Sequence, residues 1–586
     1  MLRARQPRSR AKAAWLAAFL TACTGGCSLL YDLGAEQCEV DGDCARFGAR
    51  VCQAGVCVAD DTGDAGSSAM GQAGSENAGG TGSAAPECED NAQCMDENFG
   101  QPYLCLKGEC VALATDECPV VVGVDNLRAQ EPIVFGAYAL APDAVSRSVA
   151  TRNIELVISE FTSQVTGLRG GPGRTLAFVV CNSYYPDVTP GTIDAFLPSL
   201  DHLIGRLEVP GILSALSARD LQAVFNQRLA DAGTFVISPY EQDGELASLS
   251  DDGRLWHLLG ATTDLAPTFA ALMRRTETFL RRDESFLNLS EPGGKLRVAL
   301  VTANISRELD IREQLLKLPD LEAFEVEPFL IESALLTEEP DLSSALDGVL
   351  DFAPNIIVAL AGSEFIEQGF PILESGTTWG DRTGGQQRPF YLLGSTMALE
   401  TWATYMTQAS DLNWKAFFDR LAGVAYASAE DSSLLRAYEN RLKAANLDVS
   451  DPSLLFGSEN VYDAAYLLIN SAAAAGDLPK LAGRDLALGM RRLIGGTPYD
   501  IGPSSISKVL TALDNGDDIA LNLTMGPAKW NAARGTRAGI GSVYCLNNNN
   551  SADEGEQPLG PNRDVLRYDP ETGQLENKAL VCIPDF

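Results

Sequence analysis

The chain has 586 residues, enough for several domains, and its 45% hydrophobic content can build cores. Its formal net charge of -35 repels phosphate backbones and anionic headgroups, which excludes nucleic acid as an expected partner. Only two histidines are present, which narrows the room for general acid–base and metal chemistry.

The chain opens with a basic segment (Arg3, Arg5, Arg8, Arg10, Lys12) followed by an apolar run over 13–22. A helix needs about 20 apolar residues to span a bilayer, so this run reads as a signal peptide over 1–22. Leu20-Thr21-Ala22-Cys23 resembles a bacterial lipobox, in which the cysteine is acylated and becomes the new N-terminus. Parity points instead to Cys27: acylating it would discard Cys23 and leave 12 of the 14 cysteines to pair. We assign the lipid to Cys23, with Cys27 as the alternative. Neither Thr24 nor Ser28 is aspartate, which by resemblance to Gram-negative lipoproteins implies an outer-membrane destination facing periplasm or exterior.

Two cysteine-rich repeats follow. Cys38, Cys44, Cys52 and Cys57 are spaced C-x5-C-x7-C-x4-C, and Cys88, Cys94, Cys105 and Cys110 are spaced C-x5-C-x10-C-x4-C. Each closes on Gly-x-Cys-Val and is too poor in apolar residues to fold by burial alone, so each set is expected to pair within itself. The C-x2-C spacing of a zinc site is missing, and no metal or cofactor is expected. The acidic loops lack the twelve-residue EF-hand pattern and read as solvated. A Gly/Ser/Ala linker over 61–86 separates the repeats, with a reach of roughly 30 Å. The N-terminal part thus reads as a stalk: anchor and first repeat (23–60), linker (61–86), second repeat (87–112).

From residue 119 continuous apolar strands alternate with amphipathic helices, the pattern of a parallel sheet covered on both faces. Strands are predicted at 132–140, 174–181, 209–216 and 234–238. Between them runs a helix with Ile154, Val157, Ile158, Phe161 and Val165 on one face. A second helix carries Leu221, Val224, Phe225 and Leu229 behind a capping-box-like Ser217 and Asp220. A second series of strands is predicted at 295–303, 324–331, 354–362, 388–394 and 421–428, then a long helix from Ser458 to Gly476. Two α/β units of similar size imply two lobes. The tail "DVLRYDPETGQLENKALVC" reads as a hairpin added to the second.

Several stretches, in order, resemble the type I periplasmic binding proteins, the leucine-binding-like solute receptors of ABC uptake systems. They are "GGPGRTLAFVVCNS", "VPGILSALS", "VISPYEQDGEL", "DDGRLWHLLGATTD" and "VYDAAYLLINSAAAAG", within about residues 130–545. The resemblance implies an α/β, two-lobed type I periplasmic-binding fold with doubly wound parallel sheets, preceded here by the disulfide-rich stalk. It also implies three crossings: lobe one over 119–265 and 426–518, lobe two over 266–425 and 519–586. Cys545 and Cys582 then fall together in lobe two and are expected to pair, as are Cys118 and Cys181 in lobe one.

In such sheets ligands lie at the carboxyl ends of the strands. Those ends carry Ser214, Ser217, Ser238 and Tyr240 in lobe one, and Asn304 and Ser363 in lobe two, with Ser306, Glu364 and Ser395 nearby. Serine hydroxyls and free helix N–H groups suit a small polar or anionic ligand. Ser217 is expected to cap its helix in any case, and Glu364 to be solvated. Tyr240, Glu241 and Gln242 stand where amino-acid binders often have small residues, and "TANISRELD" lacks the family's aromatic, so amino-acid specificity is not carried over. No Gly-x-Ser-x-Gly elbow, His-Glu-x-x-His helix or phosphate loop occurs, and His202 and His257 read as structural, so no catalytic residues are assigned. The sequence reads as a lipid-anchored extracytoplasmic solute-binding protein, for uptake or sensing, with an ABC permease or a sensor downstream and the membrane met only through the lipid. The alternative is a surface interaction protein that keeps the fold without a small ligand.

Overall fold

A computed structural model describes residues 50–53, 56–59, 88–129, 131–140, 144–168, 174–183, 185, 191–240, 246, 249, 251–282, 294–333, 341–362, 364–384, 386–394, 414–426, 433–445, 458–527, 529–537, 541–546, 566–570, 572–580 and 583. The signal peptide, Cys23, Cys27, Cys38, Cys44, the 61–86 linker, Glu241, Gln242, Ser363, Ser395 and Cys582 lie outside these. The chain divides into two units, 1–84 and 85–586. In the first, β1 (Arg50–Gln53) pairs antiparallel with β2 (Val56–Ala59), setting Cys52 opposite Cys57.

The second unit opens with the second repeat. Its helix, Asn91–Glu97, is capped by Asp90, whose carboxylate accepts from the Gln93 N–H at 2.8 Å. β3 (Tyr103–Leu106) and β4 (Glu109–Ala112) then form a hairpin with Cys105 opposite Cys110, the arrangement seen in β1–β2. Disulfides Cys88–Cys105 and Cys94–Cys110 staple the helical segment to the hairpin. The sulfurs of Cys88, Cys94 and Cys110 lie within 4.8 Å of one another, but all three are committed to these bridges.

This repeat packs against lobe one, a contact the sequence reading did not foresee. Met95, Leu104, Val111 and Leu113 share one core with Leu127, Val134, Leu203 and Leu207 of lobe one. Across the seam, Asn91 Nδ2 donates to the Ala129 carbonyl at 2.7 Å, and Arg128 meets Asp96 at 2.9 Å. His202 Nε2 lies 2.9 Å from the Leu113 carbonyl, in accord with a structural role. A unit too small to bury its own apolar side chains uses the neighbouring sheet for the purpose.

Lobe one starts with β5 (Val120–Val122), tied to β7 by the Cys118–Cys181 disulfide. It continues through β6 (Ile133–Leu140), β7 (Leu176–Asn182), β8 (Gly211–Ser214), β9 (Phe235–Ser238) and β10 (Leu255–His257). Lobe two holds β11 (Arg297–Ala303), β12 (Glu325–Ile331), β13 (Ile356–Leu360), β14 (Phe390–Leu393) and β15 (Leu421–Tyr426). Most of these strands are buried end to end, as expected for parallel strands covered on both faces.

The chain then returns to lobe one. The helix Ser458–Ala475 is almost wholly buried, and Gly476 closes it at a φ of 97°. β16 (Thr497–Asp500), β17 (Ile519–Leu523) and β18 (Gly526–Pro527) form a small sheet, and β19 (Trp530–Asn531) and β20 (Thr536–Arg537) add to the edge of the main one. β21 (Gly541–Tyr544), β22 (Leu566–Asp569) and β23 (Gln574–Leu575) complete lobe two, the last two as an edge hairpin. The strand orders are β19-β20-β10-β9-β8-β6-β7-β5 and β12-β11-β13-β14-β15-β21-β22-β23.

The connections between the sheets fall between β10 and β11, β15 and the 433–444 helix, and β20 and β21. The last lies later than the sequence placed it. Residues 519–537 belong to lobe one, because Ile519, Leu521 and Leu523 enter its core and Trp530 packs edge-on against Trp256 at 5.5 Å. Cys545, beyond β21, is disulfide-bonded. No helix among the described residues is long and apolar enough to cross a membrane.

Candidate functional site

At the carboxyl ends of the lobe-one strands, parallel register aligns polar residues. Tyr138 of β6 stands opposite Ser214 of β8, and Ser238 of β9 opposite His257 of β10. Residues in register share a face of the sheet, so these side chains form one rung. All four are buried. Backbone pairing persists to the strand ends: Ala215 N–H donates to the Tyr138 carbonyl at 2.8 Å and Leu258 N–H to the Ser238 carbonyl at 2.9 Å. The Tyr138 hydroxyl is engaged with Ser199 Oγ at 2.9 Å. Ser214 Oγ has no hydrogen-bond partner among the described residues.

Two residues past β9, Tyr240 keeps 39% of its surface exposed. Its phenol is nevertheless pushed well above its ordinary value by desolvation, with the Glu459 carboxylate adding to the effect. Glu459 enters from the buried first turn of the 458–475 helix.

Ser217 occupies the N-cap before the helix Ala218–Val224. Its hydroxyl accepts from Asp220 N–H at 3.3 Å and donates to Asp220 Oδ2 at 2.7 Å, so its proton is already committed. The capping role is observed directly.

In lobe two, Asn304 follows β11. Its N–H donates to the Ile331 carbonyl, and its Oδ1 accepts from the Ser333 N–H, each at 3.0 Å. It pins the ends of β11 and β12 together and has its amide Nδ2 left to offer. Glu364, read from sequence as a solvated acid, is instead buried, with Oε1 accepting from Gly362 N–H at 2.9 Å. It folds back to close the turn after β13.

The sequence reading did not single out Glu308. It is buried in the first turn of the helix Ser306–Leu316, paired with Arg307 at 3.0 Å. A Cβ built on Gly394, just past β14, would lie 3.9 Å from its Oε2, which places the carboxylate at the lobe-two strand ends. The structure thus brings Ser214, Ser238 and Tyr240 together on adjoining strands, gives Ser217 and Asn304 local structural duties, and adds His257, Glu459 and Glu308.

No protein-family model matches the chain, and no curated protein does. Solved structures do. An amino acid ABC transporter substrate-binding protein from Pseudomonas fluorescens Pf-5 aligns with a TM-score of 0.51 at 14% identity, over 76% of this chain and 98% of that one. An ABC transporter solute binding protein from Rhodopseudomonas palustris HaA2, in complex with p-hydroxybenzoic acid, aligns with a TM-score of 0.50 at 12% identity, over 76% and 99%. At such identities the likeness is one of fold.

Proposed function

The chain has the type I periplasmic-binding fold, and on that premise we propose that it is an extracytoplasmic, lipid-anchored solute-binding protein that closes two lobes on a small polar or anionic ligand. The observation that carries the reading is the rung at the lobe-one strand ends. Ser214 Oγ is buried without a hydrogen-bond partner among the described residues. Leaving a buried hydroxyl unpaired costs about 1–3 kcal/mol, and an arriving ligand would recover it. Tyr240, two residues past β9, flanks the same ends with a phenol that stays protonated and can donate. Crossings between the lobes give the hinge, and the ligand is held by Ser214, Ser217, Ser238 and Tyr240 with Asn304 or Ser363 opposite. Of the two fold neighbours, one is an amino acid ABC transporter substrate-binding protein and the other is in complex with p-hydroxybenzoic acid; amino acids and that acid both carry a carboxylate.

The N-terminal reading goes with this one: an acylated Cys23 in the outer membrane, joined to the binding domain through the 61–86 segment. Mass spectrometry of small molecules released on denaturing the purified protein tests the ligand, and scattering with that molecule tests closure. A protein that releases nothing and whose shape answers no small solute would overturn the proposal. The alternative, an interaction protein on the same fold, is favoured by one observation: Asn304 and Glu364 of lobe two are engaged by their own backbone.

A further inference from the structure

A cavity of about 360 Å³ lies at the other end of the lobe-one strands, where the second cysteine-rich repeat meets the sheet. Leu104 and Leu106 of the β3–β4 hairpin face Ile133, Val134, Leu207 and Leu481 of lobe one across it. The size falls within the ordinary range for small-molecule pockets, and one apolar wall, Leu104 and Leu106, is there because the repeat is docked.

Charge is unevenly placed around this cavity. Lys107, Arg174, Arg206 and Lys480 line it against Glu131 and Glu208, a cationic excess in a chain of net charge -35. Glu208 answers both lysines, meeting Lys107 at 2.6 Å and Lys480 as well, and they hold its carboxyl down at about 2. Its backbone sits at a φ of 51°, a left-handed conformation uncommon for a residue with a side chain, which sets the carboxylate between a lysine of the repeat and one of the lobe. Arg174 Nη2 donates to the Leu478 carbonyl, and its Nε lies 3.9 Å from Glu131. Arg206 is exposed, and its guanidinium makes no hydrogen bond or ion pair among the described residues.

Apolar walls with one unanswered guanidinium at the rim match an apolar body carrying a single carboxylate. A neutral ligand would leave Arg206 unused. A dianion would bring its second charge against Glu131 and Glu208. We propose that this cavity binds a small amphipathic monocarboxylate, its apolar part held between repeat and lobe and its carboxylate on Arg206. The site is independent of the cleft and couples a bound acid to the docking of the repeat.

Titration calorimetry of the full chain with octanoate tests it, with octan-1-ol and octylammonium as probes of the charge. Octanoate should bind, and both probes should bind at least about tenfold more weakly, a factor worth 1.4 kcal/mol. Arg206→Glu should cost a similar factor or more without unfolding the protein, since the side chain is exposed, while Arg206→Lys should retain most of the affinity. Tyr240→Ala, a change in the cleft, should leave octanoate binding unchanged. No octanoate binding, binding indifferent to Arg206→Glu, or binding lost in Tyr240→Ala would each overturn the proposal, the last by moving the acid to the cleft.

Discussion

Asp463 and Thr524 form a buried pair: the Thr524 N–H donates to both carboxylate oxygens at 3.1 Å and its hydroxyl to Oδ2 at 2.7 Å. Burial pushes the Asp463 carboxyl up to about 7, against the pull of these donors and of Arg537. The folded state therefore keeps a proton that the unfolded chain releases near pH 4. It binds more protons than the unfolded chain between those values, so this contribution to stability is complete below about pH 4 and is lost as pH rises toward 7. The swing is at most about 4 kcal/mol. Denaturant unfolding across pH 4–8 should show a flatter profile in Asp463→Asn than in the wild type. Parallel profiles would remove Asp463 as the source.

Ser214→Ala separates a ligand contact from a structural serine. Deleting a buried hydroxyl that has no partner should leave the stability of the free protein unchanged or slightly raised. If the hydroxyl meets ligand, affinity should fall by about 1–3 kcal/mol, or roughly 5- to 140-fold. Thermal melts and calorimetry with the released ligand read the two separately. Ser217→Ala should behave oppositely in the melt, losing about 1 kcal/mol with its cap.

The matched hairpins predict how the first repeat is linked. Cys52 and Cys57 are register partners, as Cys105 and Cys110 are. In the second repeat the first cysteine joins the third and the second joins the fourth. The same plan gives Cys38–Cys52 and Cys44–Cys57, to be checked by peptide mapping without reduction. In lobe one, Cys118 and Cys181 are 63 residues apart, and replacing both with alanine should cost about 4 kcal/mol in the chain-entropy account.

What the sequence made legible follows from burial. "LAFVVC" within β7 is buried at every position, and so a continuous apolar run marks it without reference to any partner. β17 reads "IALNL" with alternate burial, a pattern that identifies a half-covered strand but not the lobe that covers it. That is why the last crossing was placed too early. The docking of the second repeat was hidden for a related reason: Met95, Leu104, Val111 and Leu113 look too few for a core until they are added to another one. Ser214 and Ser238 were legible because they end apolar strands. Glu308 and Glu459 were not, because a first-turn acid has the same pattern whether it is exposed or buried.

The last crossing supplies a test of the hinge. Gly541 opens β21, and a Cβ there would come within 1.9 Å of Thr268 Oγ1, in the helix that follows the first crossing. Thr268 is fully buried, so neither side has room to yield cheaply. Gly541→Ala should therefore destabilise the protein by about 1–3 kcal/mol. Thr268→Ala removes the hydroxyl and methyl but leaves its Cβ, which would still lie 2.8 Å from the added carbon, so the double variant should recover part of the loss and no more. Thr268→Ala alone should be mild, since its hydroxyl has no partner among the described residues. A double-mutant cycle on unfolding free energies measures the coupling. If the two changes add without coupling, the contact does not constrain the crossing. If they couple, scattering of the Gly541→Ala variant with ligand should show altered closure while Ser214 and Tyr240 are untouched, because the strain lies where the lobes join and not where the ligand is held.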